Sequence, residues 1–212
     1  MQNINYDKKM EEIIKENKDK GKRPRVLLQV CCAPCSSQVL TRLREDFEVD
    51  IFYYNPNIYP PEEYDKRAQT VESLVSDMAL ESKVFIAENK PEDFYSYMEG
   101  RKDDVEGGES CYKCYELRLR ETARLAKEKG YDYFTTSLSI SPYKNSKWLN
   151  EIGEKLEKEY GISYLYSDFK KKNGYKSSIE LSKKYHLYRQ DYCGCVFSYK
   201  EMLERKKEKS SL

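Results

Sequence analysis

The residues in this chain best equipped for chemistry are its seven cysteines, and they fall in three close-spaced groups. Cys31, Cys32 and Cys35 crowd into "VCCAPCSS" at the end of an apolar run, Cys111 and Cys114 open "CYKCYELRL", and Cys193 and Cys195 flank Gly194 in "YCGCVFS". The thiolate is the nucleophilic and metal-binding form of cysteine, so such groups suit metal or redox work. Cys111 and Cys114, three apart at a helix start, point to one side and sit over unpaired backbone N–H groups. That setting lowers thiol pKa, and Arg118, one turn further on, offsets some negative charge. Two cysteines one residue apart close only a small, strained disulfide ring, with Gly194 supplying backbone freedom. Strained disulfides are easily reduced and serve as labile redox centres.

Three chemistries compete for these thiols. "CAPC", Cys32 to Cys35, has the spacing of a thioredoxin-like redox pair at a strand-to-helix turn, but four cysteines lie beyond it. Structural zinc accepts four thiolates; it normally staples loops that lack a core, and adjacent Cys31 and Cys32 are awkward ligands for one tetrahedral ion. An iron–sulfur cluster takes its thiolates from separate chain segments, one per iron. A cluster handling single electrons beside a Cys193–Cys195 dithiol storing two makes a coherent reductase, which is the reading that accommodates these groups best. A nucleotide hydrolase of the PP-loop type would want a glycine-rich phosphate cradle after the first strand. The turn here offers cysteines and a proline, with no glycine.

The elements that must position these groups alternate strand and helix. "RVLLQV", "VDIFYY", "SKVFIA", "YDYFTTSLSI" and "ISYLYS" read as strands. "SSQVLTRLREDF" is an amphipathic helix with Val39, Leu40, Leu43 and Phe47 on one face. Pro60, Pro61, Glu62 and Glu63 make a helix start, and "PEDFYSYMEG" a short helix before the polar loop "RKDDVEGGES". Helices from Cys111 to Gly130 and from Asn145 to Gly161 end on glycine, and one or two more follow the basic loop "DFKKKNGYK". The pattern predicts an α/β fold: a doubly wound, mostly parallel sheet of about five strands, Rossmann-like, with a helical C-terminal region. Residues 1–24 read as a charged arm, a short helix or loose; 25–204 as a single α/β catalytic domain; 205–212 as a charged, disordered tail. Sites in such sheets form at the carboxyl ends of the strands, where "CCAPCSS", "NPNIYPP", "SISPYKN" and "SDFKKKNGY" would share one edge.

Composition bounds the function. A chain of 212 residues, 39% hydrophobic, buries a sizeable core. No apolar stretch reads as a secretion signal or a bilayer span, so a cytoplasmic location is expected, where thiols are poor candidates for a disulfide framework. Net charge is only +1, which excludes a globally basic nucleic-acid binder. Residues 165–189 nonetheless carry seven basic and two acidic side chains, a local basic face, while 88–109 carry eight acidic and three basic. Twenty tyrosines beside one tryptophan and one histidine suit wet binding surfaces as well as core edges.

The cysteine-bearing stretches, with "YYNPNIYPPEEYDKR", "FTTSLSISPYKN", "DFKKKNGYKSSIELSKKY" and "YRQDYCGCVFS", closely resemble the epoxyqueuosine reductase QueH family over roughly residues 25 to 200. The resemblance implies a HUP-type α/β fold and reduction of the epoxide of epoxyqueuosine, at the wobble position of a tRNA, to the alkene of queuosine. It also implies a 4Fe–4S cluster and an electron donor that the sequence does not name. Carried over residue by residue, Cys31, Cys32, Cys111 and Cys114 become cluster ligands, and Cys193 and Cys195 the redox-active disulfide. Cys35 is then a candidate ligand for an additional iron or other metal ion. Removing an epoxide oxygen consumes two electrons and two protons, and Asp168, Asp191 and Tyr192 are candidates for proton delivery. A tRNA partner would give Lys170, Lys171, Lys172 and Lys176 phosphates to touch, and Tyr59, Tyr143 or Tyr175 a splayed base to stack on.

Overall fold

The computed structural model describes residues 4–100 and 107–210; residues 101–106 of the expected polar loop and the last two of the tail lie outside them. The central strand, β1 (Arg25–Gln29), is buried at every position but its first, as expected of a strand covered on both faces. Val26, Leu28 and Val30 turn to one side and Leu27 to the other, the two-residue period of a strand, and each side meets its own helical layer. On the first side α2 (Ala33–Leu43) and α3 (Pro61–Asp77) contribute Val39, Leu40, Leu43, Val71 and Leu74. On the second, α5 (Glu109–Glu128) and α6 (Ser146–Tyr160) contribute Leu119, Ala123, Leu149, Ile152 and Leu156. Phe47, beyond the end of α2, is buried in the same cluster as that helix.

Around β1 stand β2 (Glu48–Tyr53), β3 (Val84–Ile86), β4 (Tyr133–Thr136) and β5 (Ser163–Tyr164). All pair in parallel, in the order β3-β2-β1-β4-β5. The chain runs outward from β1 to β3 and then returns to the other side of β1 as β4. That reversal opens a crevice beyond the carboxyl ends of β1 and β4, the usual place for a ligand in a doubly wound sheet.

Three strands are shorter than the sequence suggests, and of "SKVFIA" only Val84–Ile86 pairs. In "YDYFTTSLSI" pairing stops at Thr136, whose Oγ1 accepts from the Leu138 backbone N–H at 3.1 Å and tightens the chain into a 3-10 turn over Ser137–Ile140. In "ISYLYS" only Ser163 and Tyr164 belong to the strand, although Leu165, Tyr166 and Ser167 stay buried. Apolar runs report burial, and burial does not require a ladder partner.

Of the two readings of the charged arm, the structure has the short helix. Within the predicted arm lies α1 (Tyr6–Asp19), started by Asn5 Oδ1 accepting from the Lys8 N–H. Its Met10 is fully buried, and its Asp7 pairs with Arg42 of α2 at 2.6 Å. The remaining helices are α4 (Pro91–Tyr97), α7 (Gly174–Lys184) and α8 (Val196–Ser210). Residues 205–210, expected to be disordered, continue α8, in keeping with a run rich in Glu, Lys and Arg. Among the described residues no helix is long and apolar enough to cross a membrane.

Candidate active site

The floor of the site is built from buried polar side chains at the carboxyl ends of the strands. Gln29, the last residue of β1, donates from Nε2 to Asn55 Oδ1 at 3.1 Å and accepts at Oε1 from Thr136 Oγ1 of β4 at 2.8 Å. Asn55, just past β2, donates to the Val30 carbonyl at 2.9 Å and receives Arg118 Nη1 of α5 at 3.5 Å. Three strands and α5 are thereby tied together directly beneath the first cysteines. Satisfied networks of this kind hold their members in one arrangement.

Above this floor Cys32 occupies the N-cap position of α2, with Cys31 Sγ 3.8 Å from its own Sγ. Cys31 and Cys35 donate their S–H groups to Cys32, and the Arg67 guanidinium adds its charge, so the Cys32 thiol is held well below its ordinary value. Its hydrogen bond to Cys32 pushes Cys31 up to about 12, and bonds to Cys31 and Cys32 hold Cys35 well above its ordinary value.

The other thiols sit between α4, α5 and α8. Cys111 Sγ accepts from the Gly107 N–H at 3.2 Å, while Cys114 packs against Phe94 and Met98. Burial pushes the Cys114 thiol up to about 12. The lowering expected at a helix start is overridden there, because lost hydration outweighs both the helix end and Arg118.

Gly194 lies at φ +129°, and a Cβ on it would come within 2.9 Å of Arg67 Nη1. The turn is held from both sides, by Arg67 Nη1 donating to the Cys193 carbonyl at 3.1 Å and by the Tyr59 N–H donating to the Gly194 carbonyl at 2.8 Å. Cys195 caps α8, its Sγ accepting from the Ser198 N–H at 3.5 Å, and burial raises its pKa. Cys193 Sγ instead accepts from Lys144 Nζ at 2.8 Å. All seven cysteines carry free thiols.

Two cavities meet at Cys193. One is narrow and lined by Cys111, Cys114, Cys193, Cys195, Phe94 and Phe197. The second is a cleft of about 380 Å³ that Cys31, Cys35 and Cys193 share with Tyr143, Lys144 and Tyr175. That volume lies in the range of small-molecule sites.

Among the described residues, no three His, Cys, Asp or Glu side chains converge tightly enough to hold a metal ion. The thiols form two sets, Cys31–Cys32–Cys35 and Cys111–Cys114 with Cys193–Cys195, and Arg118 exerts its charge on Cys31 and Cys114 alike. Arg67 and Arg118 are only 1% and 2% exposed, and each keeps a buried Nη2 with no hydrogen-bond partner. Burial opposes their charge, but the thiols, with Glu63 for Arg67, outweigh it. Thiol donors on two chain segments, beside two guanidinium groups that each keep one buried Nη2 unpartnered, suit a polynuclear anionic cluster better than a single ion.

The other candidate residues divide. Asp191 and Tyr192 line the cleft; Asp168 does not, and pairs with Lys170 at 3.1 Å. Lys206, 2.6 Å away, holds the Asp191 carboxyl below the usual carboxylate range, so it is ionised at neutral pH and has no proton to give. Tyr192 donates to the Tyr59 carbonyl at 2.6 Å, and burial raises its pKa. Lys170 is an internal brace, donating to the Ser139 carbonyl at 2.9 Å, and Lys172 pairs with Glu11 of α1. Lys171 and Lys176 are exposed but outside the cleft lining. Tyr143, 75% exposed, and Tyr175 stand on the cleft wall, whereas Tyr59 packs on Tyr199 at 5.4 Å.

Sequence reasoning missed Arg67, Lys144, Arg189 and Arg205. Arg67 reads as an ordinary i,i+4 partner of Glu63 on a helix surface. Lys144 and Arg189 lie in "SPYKN" and "YRQDYCGC", loops that already pointed at the strand edge, and that nearness was their only signal.

A parallel sheet of this order, with thiols gathered at its reversal point, defines a Rossmann-like α/β protein with a cysteine-based site. The fold is similar to that of the U34-tRNA thiolase NcsA from Methanococcus maripaludis with its [4Fe-4S] cluster, at a TM-score of 0.53 and 12% identity over 90% of this chain and 67% of that one. The chain belongs to the epoxyqueuosine reductase QueH family of oxidoreductases, whose family model matches residues 26–201. It is 42% identical to epoxyqueuosine reductase QueH of Staphylococcus epidermidis over 93% of this chain and 85% of that protein. The Streptococcus pyogenes serotype M1 relative is 39% identical over 94% and 80%, and the Thermotoga maritima relative 37% over 86% and 94%.

Proposed function

We propose that this chain reduces epoxyqueuosine in the anticodon of a tRNA to queuosine, in the cytoplasm, taking two electrons and two protons and releasing water. The observation that carries this reading is the cleft that Cys31, Cys35 and Cys193 share with the exposed ring of Tyr143 and the half-buried ring of Tyr175. Family membership supplies the substrate class. Cys31, Cys32, Cys111 and Cys114 would hold a 4Fe–4S cluster, which supplies single electrons when bound. Cys35 is the thiol available to an additional metal ion. Cys193 and Cys195 store an electron pair as a dithiol.

The protein's own groups do the rest. Tyr143 and Tyr175 offer flat faces for a splayed base. Arg189 and Arg205 bring positive charge to the cleft wall, where a phosphate backbone would run. Tyr192 keeps its proton on Oη, where it is donated to the Tyr59 carbonyl, while Asp191 stays charged beside Lys206. Arg67 and Arg118 hold the negative charge of the thiolates in place.

Anaerobic purification should give brown protein with about four irons and four sulfides per chain. Cys193→Ser should keep that colour and lose conversion of epoxyqueuosine to queuosine, read by mass spectrometry of nucleosides from digested tRNA. Loss of colour in Cys193→Ser would show that this cysteine is a ligand, and colourless zinc protein would overturn the cluster itself.

A further inference from the structure

The two thiols flanking Gly194 have unlike surroundings, and the difference bears on how the pair is recharged. Cys193 faces the substrate cleft with the Lys144 ammonium 2.8 Å from its sulfur. Cys195 is absent from the cleft lining and lies among Phe94 and Phe197, with the hydroxyl and N–H of Ser198 as its polar neighbours. It is half-buried rather than sealed. In thiol–disulfide exchange, the sulfur attacked is decided by access and by which sulfur leaves more easily as a thiolate. An ammonium on one sulfur makes that sulfur the leaving group.

We propose that Lys144 is a positioning residue that directs an external thiol reductant onto Cys195, with Cys193 departing as the thiolate. The inference rests on the dithiol reading of Cys193 and Cys195 given above. From the oxidised pair, a thiolate RS⁻ attacks Cys195 Sγ and forms a new S–S bond. The Cys193–Cys195 bond breaks, and its electron pair leaves on Cys193 Sγ beside Lys144 Nζ. A second RSH attacks the mixed disulfide; RS–SR departs and the two cysteines end as thiols. Two electrons and two protons pass from 2 RSH to the enzyme, matching what one epoxide consumes. The reductant approaches Cys195, away from the cleft that holds the nucleoside, so recharging does not require the cleft to empty.

The test uses holoenzyme oxidised anaerobically with diamide, then exposed briefly to glutathione and quenched with N-ethylmaleimide. Trypsin releases residues 190–200, QDYCGCVFSYK, whose only cysteines are the two in question. Fragmentation should place glutathione on Cys195 and maleimide on Cys193. Lys144→Met should erase this preference and slow reduction about tenfold, as expected when a leaving thiolate loses its stabilising charge. Lys144→Arg, which keeps a cation, should restore the preference, an effect that a purely structural role for Lys144 would not produce. Glutathione on Cys193, or an unchanged ratio in Lys144→Met, overturns the inference and leaves the redox pair standing. If oxidation yields no Cys193–Cys195 disulfide, the dithiol reading and the inference fall together.

Discussion

Gly194 is the residue on which the geometry of the thiol pair depends. Its φ of +129° is one that L side chains rarely adopt, and Arg67 Nη1 and Ile58 Cγ1 would stand 2.9 and 3.3 Å from an added Cβ. The same guanidinium holds the neighbouring carbonyl, so a methyl group there would push Arg67 away from both Cys193 and Cys32. Gly194→Ala is expected to lose roughly 1–3 kcal/mol of stability, the typical cost of one residue held in a disfavoured backbone region. It should also impair closure of the Cys193–Cys195 disulfide. Urea unfolding and thiol titration after oxidation read the two effects; wild-type values in both would mean that the turn tolerates a side chain.

At the scale of elements, each thiol group belongs to a helix start: α2 for Cys31, Cys32 and Cys35, α5 for Cys111 and Cys114, and α8 for Cys195. Helix starts bring unpaired N–H groups to one spot, which favours negative sulfur. The outcome still differs by element. Cys32 is held low by its thiol neighbours and Arg67, whereas Cys114, packed on Phe94, is driven up. The helix that carries none of this chemistry, α1, still belongs to the core through Met10. Met10→Ala should cost about 2–5 kcal/mol in chemical denaturation, as for other buried Met truncations. A loss near zero would restore the picture of a free arm.

For the whole molecule, a net charge of +1 conceals where the cations are used. Of the lysine run after β5, Lys170 is internal and Lys172 pairs with Glu11, while Arg189 and Arg205 line the cleft. Binding of tRNA should therefore depend on these two arginines. Arg189→Ala and Arg205→Ala should each weaken binding and reduce the slope of log affinity against log salt by about 1. Lys172→Ala should leave the slope unchanged. Filter binding over a salt series decides this, and the reverse pattern would move the RNA path to the lysine run.

The sequence by itself determined what depends on neighbours along the chain. Strand and helix periods gave the parallel sheet, the spacing of Cys111 and Cys114 put both at one helix start, and glycine between Cys193 and Cys195 marked a special turn. The family stretches were equally legible, since they are contiguous. Tertiary structure alone decided the contacts that span the chain: Lys144 on Cys193, 49 residues apart, and Arg67 on the Cys193 carbonyl, 126 apart. It also decided that α1 docks on the core through Met10, that Lys170 braces the Ser139 carbonyl, and that Cys114 is driven up. These outcomes turn on how much water and which charges surround a side chain once the sheet has packed. Local pattern carries the period of an element, but the environment of a thiol or a cation is set by residues that the pattern does not connect.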